Sequence, residues 1–165
     1  MHEKSVVLLN EAVGDELSAV HQYMYWHFHC DDQGFDLLAG VFKRTAIEEM
    51  IHIEKIAERI LFLKGDVEMV ATDPVQKVTD VGKMLEMAAA MEEKSALDYN
   101  RMAMACAQNA DSQSKQLFEE LVADEERHFD QYDTELDNLA RFGKDYLALQ
   151  SMERARTRGA QTPPE

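Results

Sequence analysis

Proline is almost missing from this sequence. Pro74 is the only one before Pro163 and Pro164, close to the C-terminal end. Proline breaks a helix by removing a backbone donor and crowding the preceding turn. Its scarcity therefore leaves two long uninterrupted stretches, each able to form a helical hairpin. Glycine is scarce too, with 7 in 165 residues. Cys30 and Cys106 are the only cysteines. They exclude a disulfide framework and a Cys-x-x-Cys metal or redox motif, and this usage is expected in a reducing cytosol. No apolar run reaches the length of a membrane span. The opening residues, MHEKSVVLLNEAVGDE, hold too short an apolar run and too many acids for a secretory leader, so a cytoplasmic protein is expected. Positive charge is also in short supply: 17 Lys and Arg face 32 Asp and Glu, a net charge of −15. That balance argues against phosphate-backbone binding, which wants a basic face. It suits attraction of metal cations, although taken alone it reads first as a solubility feature.

What remains is helix-forming. Hydrophobic residues make up 45% and charged residues 30%, the balance of one globular domain long enough to bury a core. Apolar residues recur at helical spacing through Val6, Leu9, Val13, Leu17, Val20 and Met24 until Gly34 interrupts them. A second helix is expected from Asp36 through the LFLKG segment, with Gly65 as its stop. Residues 66–79 read as a connector, and residues 80–109 as a third helix. A turn and N-cap signal follows at 109–112, and a fourth helix runs to Phe142 before Gly143. Residues 145–154 suit a short fifth helix, and the basic, Pro-ended remainder is expected to be disordered. The expected architecture is all-α: a four-helix bundle with a long crossover between helices two and three. One domain covers 1–155, and a tail covers 156–165.

One set of potential metal ligands occurs twice. Glu16 is followed 33 residues later by Glu49 and then by His52; Glu92 is followed 33 residues later by Glu125 and then by His128. The two sets are offset by 76 residues, and the same offset carries Tyr23 onto Tyr99. A single Glu-x-x-His in a Glu-rich helix is weak evidence, since most such pairs face water. The recurrence at equal spacing is much harder to obtain by chance. Counted from the turns at Gly34 and Asp111, all six residues fall 14 to 19 positions into their helices. They therefore share one depth in the bundle, and Glu and His at i, i+3 share one helix face. Four carboxylates and two imidazoles, supplied by four helices, form the ligand set of a di-iron or di-manganese site. Carboxylates can bridge two ions in either oxidation state, and one imidazole per ion leaves positions open for dioxygen. Glu93 is a rival to Glu92, but the repeat selects Glu92. Tyr23 and Tyr99 are either donors to the ligand carboxylates or plain core residues.

These residues lie within segments that resemble bacterioferritin: DELSAVHQY (15–23), EEMIH (48–52), ERILFLKG (58–65), DEERH (124–128) and LARFGKDYLALQSM (139–152). The resemblance spans nearly the whole chain. It implies a ferritin-like bundle and a hollow 24-subunit shell built from two-fold dimers. It also implies ferroxidase activity: Fe(II) is oxidised by O2 or H2O2 at an intrasubunit di-iron centre, and ferric mineral is stored inside or iron cycles at the centre. Carried over, Glu49 and Glu125 bridge the irons, Glu16 and His52 complete one, and Glu92 and His128 complete the other. Met50 matches the methionine that ligates haem iron, one from each subunit of a two-fold pair, so haem b or a related iron porphyrin is implied. Helix geometry agrees: with Glu49 and His52 inward, Met50 points about 130° away from them. A small ferredoxin is the implied reductant. Two departures stand out. Arg44 and Glu48 occupy positions where family members can carry a histidine and an aspartate of an accessory inner-surface iron site. The tail after Met152 is also longer and more basic than the family's.

Several alternatives stay open on sequence alone. They are a non-haem ferritin, a di-metal oxidase or peroxide scavenger without a shell, a DNA-protecting mini-ferritin, and a haem bundle with a silent metal site. His27, His29, Cys30, Asp31 and Asp32 form a second metal-like cluster. They crowd one helix end without sharing a face, so they read as a polar end near a subunit contact. His21 reads as a surface or outer residue of the site.

Overall fold

The computed structural model describes residues 2–160. Five helices follow in order: α1 (Glu3–Asp32), α2 (Asp36–Phe62), α3 (Val81–Gln108), α4 (Ser112–Phe142) and α5 (Lys144–Ala160). No strand occurs among the described residues. The architecture is the expected all-α bundle: α1 pairs with α2, α3 pairs with α4, and a long crossover links the two hairpins.

Helix ends are set by local backbone chemistry. α1, α2 and α3 all finish in paired reverse bonds, in which the two residues past the cap donate to carbonyls of the last turn. At α1 these are Gly34 N to Asp31 O and Phe35 N to Cys30 O, with Gly34 at φ 82. At α2 the left-handed position falls on Lys64 (φ 65), not on Gly65 as expected. Gly65 is needed for another reason: a Cβ there would meet Val6 Cγ1 at 2.6 Å. At α3 the left-handed residue is Ala110. Asp80 and Asp111 cap α3 and α4, accepting from Lys83 N at 2.9 Å and Ser114 N at 3.1 Å. Arg59 donates to the same Asp111 oxygen at 2.6 Å, so the cap of α4 is also tied to α2. α5 continues through Ala160, six residues beyond the expected end at 154. The segment RARTRGA is rich in alanine and arginine, both strong helix formers. The expected tail lies outside the described residues only from residue 161 onward.

The crossover does not swing free. A stripe of α1 residues spaced by four holds it: Asn10, Gly14, Ser18 and Gln22. The Asn10 side chain bonds Asp66 O and Glu68 N, both at 2.9 Å. Thr72 N donates to Gly14 O at 3.0 Å. Asp73 N donates to Ser18 Oγ, and the Gln22 amide pairs with both backbone groups of Gln76. A Cβ at position 14 would meet Val70 O at 3.0 Å and Thr72 Oγ1 at 2.7 Å, so only glycine lets the strap lie so close. The strap runs the length of α1 and starts α3 beside the α1–α2 turn, which makes α3 antiparallel to α1.

The core is divided. One apolar cluster holds Tyr23, Trp26, Leu38, Phe42, Met84, Leu85 and Tyr132. The other holds Leu9, Val13, Ile56, Ile60, Tyr99, Phe118 and Leu121. On each of the four long helices, the break between the two clusters falls at the repeated Glu and His positions.

Candidate metal centre

All six repeated residues are buried to 2% exposure or less: Glu16, Glu49, His52, Glu92, Glu125 and His128. Glu93 is exposed, so the symmetric choice of Glu92 agrees with the packing. Four ionisable groups can offer donor atoms within 4.8 Å of one another in two sets. The first is Glu16, Glu49, His52 and Glu125; the second is Glu49, Glu92, Glu125 and His128. Glu49 and Glu125 belong to both, as two bridging carboxylates would.

The contacts inside this cluster do not satisfy it. His52 Nδ1 faces three carboxylates at once, Glu49 at 2.8 Å, Glu16 at 3.2 Å and Glu125 at 3.3 Å. One nitrogen has at most one proton to give, and the hydrogen bond goes to Glu16. Both Glu49 oxygens, Glu125 Oε1 and His128 Nδ1 have no hydrogen bond. Buried charged atoms without partners are strongly unfavourable. Acceptor atoms converging on common points are what a pair of cations would satisfy, so the donor set fits them.

Without cations, protons do part of that work. Burial, with the Glu49 charge beside them, pushes the Glu16 and Glu125 carboxyls well above the ordinary range. Burial acts on Glu49 in the same direction, but His128 and His52 hold it down at about 2. Burial also disfavours the charged form of His128, yet Glu49 and Glu92 push it up to about 11. His52 is raised in the same way by Glu125, Glu16 and Glu49, against the effect of burial.

A shell of further groups fixes the six. The Tyr23 hydroxyl donates to Glu92, and the Tyr99 hydroxyl donates to Glu16 at 2.7 Å. Each tyrosine thus serves the glutamate of the other half of the chain. On the far side of each imidazole, His52 Nε2 bonds Asp124 at 3.0 Å and His128 Nε2 bonds Glu48 at 2.7 Å. Outer acceptors of this kind set which nitrogen is free to bind a metal, here Nδ1. Asp124 went unnoticed in the sequence, though the 76-residue offset maps Glu48 onto it. Tyr132, also unnoticed, donates to Thr45 at 2.7 Å and stacks on Tyr23 and Phe42 beside the site.

Other sequence candidates lie elsewhere. Met50 faces outward, 48% exposed between Ile47 and Ile51, also exposed. Arg44 lines a surface hollow with Asp36 and Glu135, apart from the six, and Glu48 is engaged by His128 and Arg127. The HFHCDD cluster disperses: His27 bonds Ala39 O, His29 packs on Tyr25, Cys30 is buried against Met84, and Asp31 and Asp32 are exposed. His21 is exposed.

With this geometry in place, the relatives are informative. The ferritin-like domain family matches residues 6–142. A bacterioferritin of Brucella melitensis is 36% identical over 86% of this chain and 88% of that protein. A bacterioferritin of Rhodobacter capsulatus is 35% identical over 88% and 91%. The crystal structure of Desulfovibrio desulfuricans bacterioferritin, a study of its diiron site in different catalytic states, superimposes with a TM-score of 0.87. That pair is 32% identical and covers 89% of this chain and 86% of the other.

Proposed function

We infer the function from one premise: the chain belongs to the ferritin-like domain family and, within it, to the bacterioferritins. On that premise the protein stores iron, and the buried cluster is its ferroxidase centre. Two Fe(II) bind as substrates. Glu16 and His52 hold one, Glu92 and His128 hold the other, and Glu49 and Glu125 span both. O2 or H2O2 accepts the electrons, and the ferric product is stored as mineral. The observation that carries this reading is the pair of four-residue donor groups sharing Glu49 and Glu125, with several buried donor atoms left unpartnered.

The chain's own groups have definite tasks in this reaction. His52 and His128 give up their protons as iron arrives, so that Nδ1 can bind. Asp124 and Glu48 hold the imidazoles in that tautomer. Tyr99 and Tyr23 steady the terminal carboxylates. The aromatic layer of Tyr23, Trp26, Phe42 and Tyr132 keeps water from one side. Rapid mixing of Fe(II)-loaded protein with O2 tests the assignment. Glu49→Ala and His128→Ala are expected to lose the fast oxidation phase, by about 100-fold or more in rate, as when a metal-chemistry site is dismantled. Wild-type rates in both variants would contradict it.

The same premise extends to assembly. The protein then assembles as a 24-subunit shell, built from two-fold dimers and working in the cytoplasm. The outward thioether of Met50, with exposed Ile47 and Ile51 beside it, is an apolar patch suited to a planar tetrapyrrole shared with a second copy. Met50 from each of two copies would hold haem b there, and thioether ligation would favour its reduced state; a small ferredoxin is the reductant this reading calls for. Met50→Leu is expected to abolish the sharp visible band of the reduced, haem-reconstituted shell while leaving its size unchanged. A band that survives the substitution would contradict the assignment.

A further inference from the structure

Arg127 stands just outside the two imidazoles, on the α2–α4 side of the bundle. One of its guanidinium nitrogens, Nη2, donates to Glu48 Oε2 at 2.5 Å and to Asp124 Oδ1 at 3.0 Å. These are the acceptors already engaged by the metal-site histidines. Glu48 Oε2 takes the Nε2 proton of His128 at 2.7 Å, and Asp124 Oδ2 takes that of His52 at 3.0 Å. One side chain therefore closes a loop from His128 through Glu48, Arg127 and Asp124 to His52.

The sequence repeat shows which part of this loop is added. Glu48 and Asp124 are related by the 76-residue offset, as the six buried residues are. Arg127 is not: its counterpart under the same offset is Ile51. The two halves each supply an outer acid, and only one supplies the cation that joins them. Both acids are about a third exposed, with side-chain exposures of 36% and 34%. Without a partner, such carboxylates turn readily to water and give up their hold on the imidazoles. A buried ligand imidazole depends on its outer acceptor for ring orientation, and loss of such partners costs metal affinity.

We propose that Arg127 is a positioning residue for the metal centre, bracing Glu48 and Asp124 so that both imidazoles present Nδ1 to the metals in a fixed direction. The inference rests on the two-metal reading of the cluster. It also has a definite sign. A positive charge this close to two cations repels them through space, so if charge were its only effect, removing it would tighten binding. If bracing dominates, removing it weakens binding.

Co(II) binding to the metal-free assembled protein distinguishes the two. Its visible ligand-field bands report ligand geometry, and competition with a chelator gives affinity. Wild type is expected to take up two Co(II) per chain. Arg127→Ala is expected to bind them about ten- to a hundred-fold more weakly, with altered ligand-field bands. Arg127→Lys, which keeps the charge and several donors on a shorter reach, is expected to recover part of the loss. Arg127→Gln cannot span both acids and serves in place of the alanine variant should that one fail to assemble. Equal or tighter binding in Arg127→Ala or Arg127→Gln, with unchanged bands, would overturn the brace and leave the metal site standing. Absence of Co(II) binding in wild type would overturn the two-metal reading, and the brace with it.

Discussion

Glu49 is the pivot of the site. It is buried, faces both histidines, and has no hydrogen bond on either oxygen. Its neighbours divide the charge around it: Glu16 and Glu125 are pushed toward the protonated form, and both imidazoles toward the charged form. A cation arriving at this cluster must displace those protons. The histidines hold their protons far above their ordinary range, so acid strengthens the competitor and rising pH strengthens metal binding. At pH 7 we expect about two or more protons released per chain on loading with Co(II). Calorimetry in buffers of different ionisation enthalpy measures the number, and no release would contradict the charge distribution described here. The six buried residues were legible because they obey two rules at once, the i, i+3 face and the repeat. Tyr23 and Tyr99 obeyed the repeat but carried no sign of which way their hydroxyls point. Arg127 shares an i, i+3 face with Asp124 but falls outside the repeat. Acid–base pairs at that spacing are common on solvated helix faces, so the spacing alone does not tie Arg127 to the site.

Helices were easier to read than their ends and joints. Apolar periodicity placed α1 to α4 within a few residues, because burial on one face enforces it. The stop at Gly65 was misplaced by one residue, since a close approach to Val6 and a left-handed turn at Lys64 compete for the same short segment. The crossover's path was hidden for a different reason. Asn10, Gly14, Ser18 and Gln22 form a small, polar stripe that reads as a solvent face, yet it is the seat of the strap. α5 outran its expected length because apolar pattern ends before helix propensity does. One helix end invites a direct test. Ala110 is exposed and sits at φ 55, a conformation that costs a residue with a Cβ about 1 kcal/mol or more. Ala110→Gly is therefore expected to stabilise the subunit by about 1 kcal/mol, raising Tm by about 2–4 °C. An unchanged or lower Tm would show that the turn is not strained.

The whole molecule is a bundle whose two apolar clusters meet at a polar floor. Burying six ionisable groups between them weakens a core that could otherwise run unbroken. The arrangement makes sense if the floor is where metal binds, as proposed here for this member of the bacterioferritins. The net charge of −15 then suits a container that draws cations toward itself. The most direct test of the central claim is a rapid-mixing titration. Protein loaded anaerobically with increasing Fe(II) is mixed with O2, and the amplitude of the fast oxidation phase is followed. We expect that amplitude to saturate at two Fe(II) per chain in wild type and to vanish in Glu49→Ala. Saturation at one per chain, or a fast phase that survives the loss of Glu49, would contradict a paired centre bridged by that residue.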